Sequence, residues 1–281
     1  ESYALDEESL RREIRFCIES GAHGLVGPAN ASEFTTLSDD ERKRWIEIVI
    51  EETKGQIPVI AATTCGHAVP AAQLSRWSQD AGADGIMAMP PPILQLGAQG
   101  CYDYFKAISQ AVEIPIFIQN YSGPAGTAMS SDAVARMCRE LDHVDYIKEE
   151  TLPEPRMISS TLAAAGSACK GVFGGQGGVY LLDEYRRGST GNMPACQATD
   201  VQVAIWNKLE AGDEAGARKL YNHLLPLINF ERMHGVAVYK EVLHRRGIFN
   251  TTVSRGPKYL DDMDREELNA ILHDVESLFS L

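Results

Sequence analysis

Lys148 stands inside the run Val144-Asp145-Tyr146-Ile147-Lys148-Glu149-Glu150-Thr151, near the C-terminal end of what reads as a short buried strand. A buried ammonium costs several kcal/mol unless it is paired or gives up its proton. An amine that sheds its proton near neutral pH can attack a ketone and form a Schiff base. The other reading of the octet is a lysine paired with Glu149 or Glu150 and reaching for the strand end. Side chains alternate along a strand, so at most one of the two carboxylates faces the lysine.

The elements that must position this lysine follow from the apolar pattern. Short apolar runs at 24–27, 58–63, 85–89, 115–120, 144–149, 171–174 and 189–194 read as strands, separated by amphipathic helical segments. One helix opens at Ser38 with Glu41 three residues on, a capping box, and another opens at Ser130 or Ser131. The strands recur at about 30 residues, the length of a βαβ unit. Their runs are continuous rather than alternating, as in parallel strands covered on both faces. Over about 250 residues this repetition favours an α/β fold of the (β/α)8 TIM-barrel type with a C-terminal helical region. No GxGxxG follows the first strand, which weighs against a dinucleotide-binding sheet. Seven strands are legible where a barrel has eight, so the first strand is expected to precede Glu1. The barrel is expected over residues 1–212 and the helical region over 213–281, with helices at 201–211, 214–230, 233–246 and 265–279.

Composition narrows the function. The chain has 281 residues and a net charge of −13, which argues against nucleic acid or an anionic membrane as partner. No apolar stretch approaches the roughly 20 residues of a membrane helix, and no signal peptide is visible. The six cysteines are scattered without a CxxC pair and read as free thiols of a cytoplasmic protein.

The chain resembles the dihydrodipicolinate synthase / N-acetylneuraminate lyase superfamily, Schiff-base (β/α)8 barrels with C-terminal helices. The resemblance rests on Tyr146-Ile147-Lys148-Glu149-Glu150-Thr151, on SEFTTLSDDER at 32–42, on AGADGIMAMPP at 81–91, on IPIFIQN at 114–120 and on GSTGNMPA at 188–195. It implies that Lys148 is the imine-forming residue. The departures are as informative. The family's GTTGE is here Ala29-Asn30-Ala31-Ser32-Glu33, the tyrosine of its YNxP motif is Gln119, and the tyrosine after its fourth strand is Pro92. The tyrosine–threonine–tyrosine proton relay of a dihydrodipicolinate synthase is therefore missing. Together with MAMPP, the glutamine, IKEET and Leu225–Glu231, the pattern is similar to the branch containing L-2-keto-3-deoxyarabonate dehydratase, although that branch carries an aspartate where this chain has Asn120.

The resemblance implies a 2-keto-3-deoxy sugar acid as substrate and a hydro-lyase reaction, with an aldolase that releases pyruvate, or a keto-acid binder without turnover, as the alternatives. Lys148, Gln119 and Tyr121 are the candidate catalytic residues. Asn30, Ala31 and Ser32, in the loop expected to meet the substrate carboxylate, and Glu150, Gly174 and Gly175 are the candidate substrate-binding residues. Asn30 and Ser32 could equally cap the loop, Gly174 and Gly175 could equally serve tight packing, and His67 could be a rim acid/base group or a surface histidine. Imine chemistry requires no metal and no cofactor is expected. A homotetramer or homodimer is expected from the resemblance.

Overall fold

The computed structural model describes residues 3–123, 126–256 and 259–280. Pro124 and Ala125, within the segment after Tyr121 that departs from the family pattern, lie outside the described residues. In chain order the elements are α1 (Glu7–Glu19), β1 (Leu25–Gly27), α2 (Asp39–Thr53), β2 (Val59–Ala62), α3 (Ala68–Asp80), β3 (Gly85–Ala88), α4 (Ala98–Ser109) and β4 (Ile116–Tyr121). These are followed by α5 (Ser131–Glu140), β5 (Val144–Glu150), α6 (Glu154–Ala165), β6 (Gly171–Gly174), α7 (Leu181–Arg186), β7 (Gly191–Asn192), α8 (Thr199–Glu210), α9 (Glu214–His234), α10 (Val236–Arg245) and α11 (Asp262–Val275). Two compact units hold them. One is Pro58–Gln176 with Tyr180–Met193; the other is Glu1–Ile57 with Gly177–Val179 and Pro194–Leu281.

The first unit is a parallel sheet in which β2, β3, β4, β5, β6 and β7 pair neighbour to neighbour in chain order. Its strands are apolar because helices cover one face and the sheet's other face is also buried. All four residues of β3 are buried, as are the first five of β4. Gln119 pairs with Lys148, Asn120 with Glu149 and Tyr121 with Glu150. Lys148 pairs with Phe173 and Glu149 with Gly174. In-register partners share a face. Phe117, Tyr146 and Phe173 therefore form an aromatic cluster on one face, Phe117 stacked on Tyr146 at 4.5 Å; Gln119 and Lys148 rise one pleat above Phe117 and Tyr146, level with Phe173.

The second unit contains α1, β1, α2 and the C-terminal helices. The capping box at α2 is present as expected: Ser38 Oγ accepts from the Glu41 amide at 3.2 Å and Glu41 Oε2 from the Ser38 amide at 2.9 Å. Two boundaries differ from expectation. The break after 230 falls instead at Gly235, whose φ of 56° only glycine adopts freely, so α9 runs on through His234. The helix expected from 265 begins at Asp262, because Asp261 and Asp264 form a capping box of two aspartates. The tail is pinned through Asp200, which pairs with Arg246 at 2.7 Å and accepts from the Ser280 amide at 2.8 Å. Arg246 in turn lies over the Phe16 and Phe279 rings. None of the described helices is long and apolar enough to cross a membrane.

Candidate active site

Lys148 is 8% exposed, and its ammonium nitrogen lies 3.5 Å from Glu150 Oε1. Glu150, two residues on, is on the same face by the pleat, and so is the carboxylate that faces the lysine. Three further groups hold that carboxylate. Gln119 Nε2 donates to Glu150 Oε2 at 2.6 Å, and the Gln176 amide donates to Oε1 at 3.1 Å. Gly175 lies against the same side chain so closely that a Cβ there would sit 2.4 Å from Glu150 Cγ. The main chain of Glu150 is held too, its carbonyl accepting from Gln176 Nε2 at 3.0 Å and from Ser122 Oγ at 3.2 Å. A carboxylate with two donors on it and an amine beside it is placed to move a proton to or from an atom bonded to that amine.

Glu149 faces the other way and is used differently. It is fully buried, accepts from Asn120 Nδ2 at 3.0 and 3.2 Å, and accepts from the Thr151 amide at 2.8 Å. Burial pushes its carboxyl up to about 7 against the pull of those donors. Asn120 also clamps the loop after β4, donating to the Met129 carbonyl at 2.9 Å and accepting from its amide at 2.8 Å. Glu149 is therefore a strut behind the strand, not a partner of the lysine.

The sequence candidates separate accordingly. Lys148, Gln119, Glu150 and Gly175 come together in one cluster. Tyr121 shares its face with Glu150, but its hydroxyl end is folded over Gly123. Gly174 points to the opposite face, where a Cβ would meet Glu184 Oε2. His67 is exposed and caps α3, accepting from the Val69 amide at 3.2 Å. Asn30, Ala31 and Ser32 belong to the other unit, where they form a single 3-10 turn with Asn30 and Ala31 exposed. In that unit Glu33, at φ 53°, binds Lys240 and Ser254 and accepts from the amides of Arg255 and Gly256, each at 3.2 Å.

Gln176 and Asn120 were not singled out from the sequence as site residues, nor were Glu154 and Glu184, which lie behind Gly175. The legible signal for Asn120 was a polar residue at a helix-facing position of an otherwise apolar strand. Among the described residues no cluster of three or more His, Cys, Asp or Glu side chains could hold a metal ion.

Comparison with known proteins identifies the family and the fold. The model of the dihydrodipicolinate synthetase family matches residues 1–275. L-2-keto-3-deoxyarabonate dehydratase of Azospirillum brasilense is 31% identical over 98% of this chain and 90% of its own length. 4-Hydroxy-tetrahydrodipicolinate synthase of Oleidesulfovibrio alaskensis is 37% identical over 79% of this chain and 76% of its own. A crystal structure of dihydrodipicolinate synthase superposes with a TM-score of 0.92 over 99% of this chain and 96% of its own, at 23% identity. That of Acinetobacter baumannii, complexed with pyruvate, superposes with a TM-score of 0.90 at 26% identity, over 97% and 94% of the two chains. The fold is thus of the (β/α)8-barrel type with C-terminal helices that the strand pattern predicted, with seven strands among the described residues. With residues 1–275 matched in this way, the chain belongs to the dihydrodipicolinate synthetase family of Schiff-base lyases.

Proposed function

We propose that the protein is a hydro-lyase that dehydrates a 2-keto-3-deoxy sugar acid through an imine on Lys148, with L-2-keto-3-deoxyarabonate as substrate and 2,5-dioxopentanoate (α-ketoglutarate semialdehyde) as product. One observation carries this reading. The group beside the lysine is a carboxylate held by a carboxamide, Glu150 with Gln119 at 2.6 Å. The synthase relay carries a phenol at the position of Gln119 to shuttle protons, and Gln119 cannot titrate. A carboxylate can both remove and return a proton, which an elimination requires.

The steps balance as follows. The Lys148 amine attacks the C2 ketone and loses water to give a protonated imine, an electron sink that acidifies C3–H. Glu150 takes the C3 proton, giving an enamine. Its protonated form then donates to the C4 hydroxyl, which leaves as water as the enamine electrons re-form the imine in conjugation with C3=C4. Loss of a C5 proton gives a dienamine; protonation at C4 converts its C5 enol to the aldehyde, protonation at C3 restores the imine, and addition of water hydrolyses the imine to the C2 ketone and frees Lys148. Gln119 orients Glu150 throughout, and Tyr121 is in register with Glu150 on the same face. The sequence of the A. brasilense relative, named for this dehydration, supports the same substrate.

The test supplies L-2-keto-3-deoxyarabonate and follows products by mass spectrometry. Accumulation of 2,5-dioxopentanoate, abolished in Lys148→Ala, is the expected result. Pyruvate with glycolaldehyde would mean C3–C4 cleavage and make the protein an aldolase. An imine that is trapped by borohydride on Lys148 but never turned over would make it a binder.

A further inference from the structure

On the face of β5 opposite Lys148, two carboxyl groups meet in the interior. Glu154, the first residue of α6, is 0% exposed, and Glu184 of α7 is 1% exposed. Glu154 Oε1 accepts from the Gly175 amide at 2.8 Å, and Glu184 Oε2 accepts from Asn192 Nδ2 at 3.0 Å. The two remaining oxygens, Glu154 Oε2 and Glu184 Oε1, have no donor. The two side chains crowd the same pair of glycines, Glu154 on the Gly175 amide and Glu184 against Gly174, and act on each other directly. Two ionised carboxylates are both acceptors and cannot bond, and two buried like charges in contact repel. A single proton shared by the pair removes both difficulties.

We propose that Glu184 carries a proton which it donates to Glu154, and that this acid pair positions Glu150. The pair holds the Gly175 amide, Gly175 packs on the Glu150 side chain, and the next amide, that of Gln176, donates to Glu150 Oε1. The chain of contacts therefore runs from Asn192 through Glu184, Glu154 and Gly175 to the carboxylate beside Lys148. Glu154 is the ionised member because it is the first residue of a 12-residue helix, where negative charge is favoured, whereas the helix that carries Glu184 is only six residues long. Glu149, Glu150 and Lys148 are the other charged groups that act on the pair, and burial pushes both of its carboxyls upward. The positioning half of this inference rests on the reading of Glu150 as proton carrier.

Two readouts test it on the full-length protein. Infrared difference spectroscopy of wild type against Glu184→Gln at pH 8 should show a protonated-carboxyl C=O band that shifts in D2O and is lost in the variant. The second readout is exchange of the pyruvate methyl protons in D2O, which needs the Lys148 imine and a base but no knowledge of the sugar acid. Glu154→Ala frees the Gly175 amide and should slow exchange by about 10–100-fold with the pyruvate affinity unchanged. Glu154→Gln and Glu184→Gln keep one donor and one charge in the pair and should exchange at close to the wild-type rate. Absence of the infrared band overturns the shared proton. Wild-type exchange in Glu154→Ala, or equal losses in Glu154→Ala and Glu154→Gln, overturns the positioning role. Undiminished exchange in Glu150→Gln would overturn the proton-carrier reading and the positioning role with it, while the band alone would still decide the shared proton.

Discussion

Gly175→Ala adds one methyl group at the point where the backbone meets the Glu150 carboxylate. The new Cβ would lie 2.4 Å from Glu150 Cγ and Oε1 and 2.6 Å from Cδ. Carbon atoms in ordinary contact stand about 3.5 Å apart, so one partner must retreat by about 1 Å. Gly175 is not in the left-handed region, so alanine fits its backbone and the strain falls on the side-chain contact. Glu150 is held from behind by the Gln176 amide and from the front by Gln119, so its retreat disturbs both bonds and the 3.5 Å approach to Lys148. Misplacing a reacting group by about 1 Å costs about a hundredfold in rate, and overpacking costs about 1–3 kcal/mol of stability. The assay is pyruvate methyl exchange in D2O by proton NMR, run beside borohydride trapping of the pyruvate imine. Exchange should fall about a hundredfold while trapping on Lys148 persists, because the lysine itself is not touched. Gly66→Ala, in the same unit with nothing within 4 Å of its Cβ, is the control. Exchange in Gly175→Ala equal to that of Gly66→Ala would refute the claim that Glu150 must stand where it does.

Three other outcomes are expected. Glu150→Gln removes the titrating group and should lower exchange and turnover by about 10²–10⁴-fold, with imine trapping retained. Arg246→Met strands the buried Asp200 carboxylate and should cost about 3–5 kcal/mol in urea denaturation, most of it recovered when Asp200→Asn is added. Glu231 is buried against Gln197, and burial raises its carboxyl from 4.5 to about 8. The folded chain then keeps a proton that the unfolded chain releases above pH 4.5, so this group's contribution to stability is full at low pH and is lost as pH rises to 8. The loss amounts to up to about 5 kcal/mol, and Glu231→Gln should flatten the fall in melting temperature between pH 6 and pH 9.

Much of this protein was settled by local chemistry that a sequence carries openly. Short continuous apolar runs bounded by turn residues read as strands covered on both faces, and their spacing leaves room for one helix between each pair. Lys148 was legible because a lone ammonium in such a run is costly unless it is used or paired. Period-two alternation also dictated that only one of Glu149 and Glu150 could face it, but not which role each would play. That was decided by the neighbouring strands. The pairing of Gln119 with Lys148 across β4 and β5 brings a carboxamide 31 positions from Glu150 onto its second oxygen. The paired glycines that looked open to substrate have their free sides taken by carboxylates, Gly175 by Glu150 and Gly174 by Glu184. Glu154 and Glu184 read as ordinary charges of amphipathic helices, and only the packing of α6 and α7 on the sheet buries them together. A sequence determines which residue types can do chemistry and which face of an element they occupy, because both depend on bonds a few residues long. Which groups meet, and which of them must hold a proton to do so, depends on desolvation and on contacts between distant segments, and those exist only once the tertiary structure has formed.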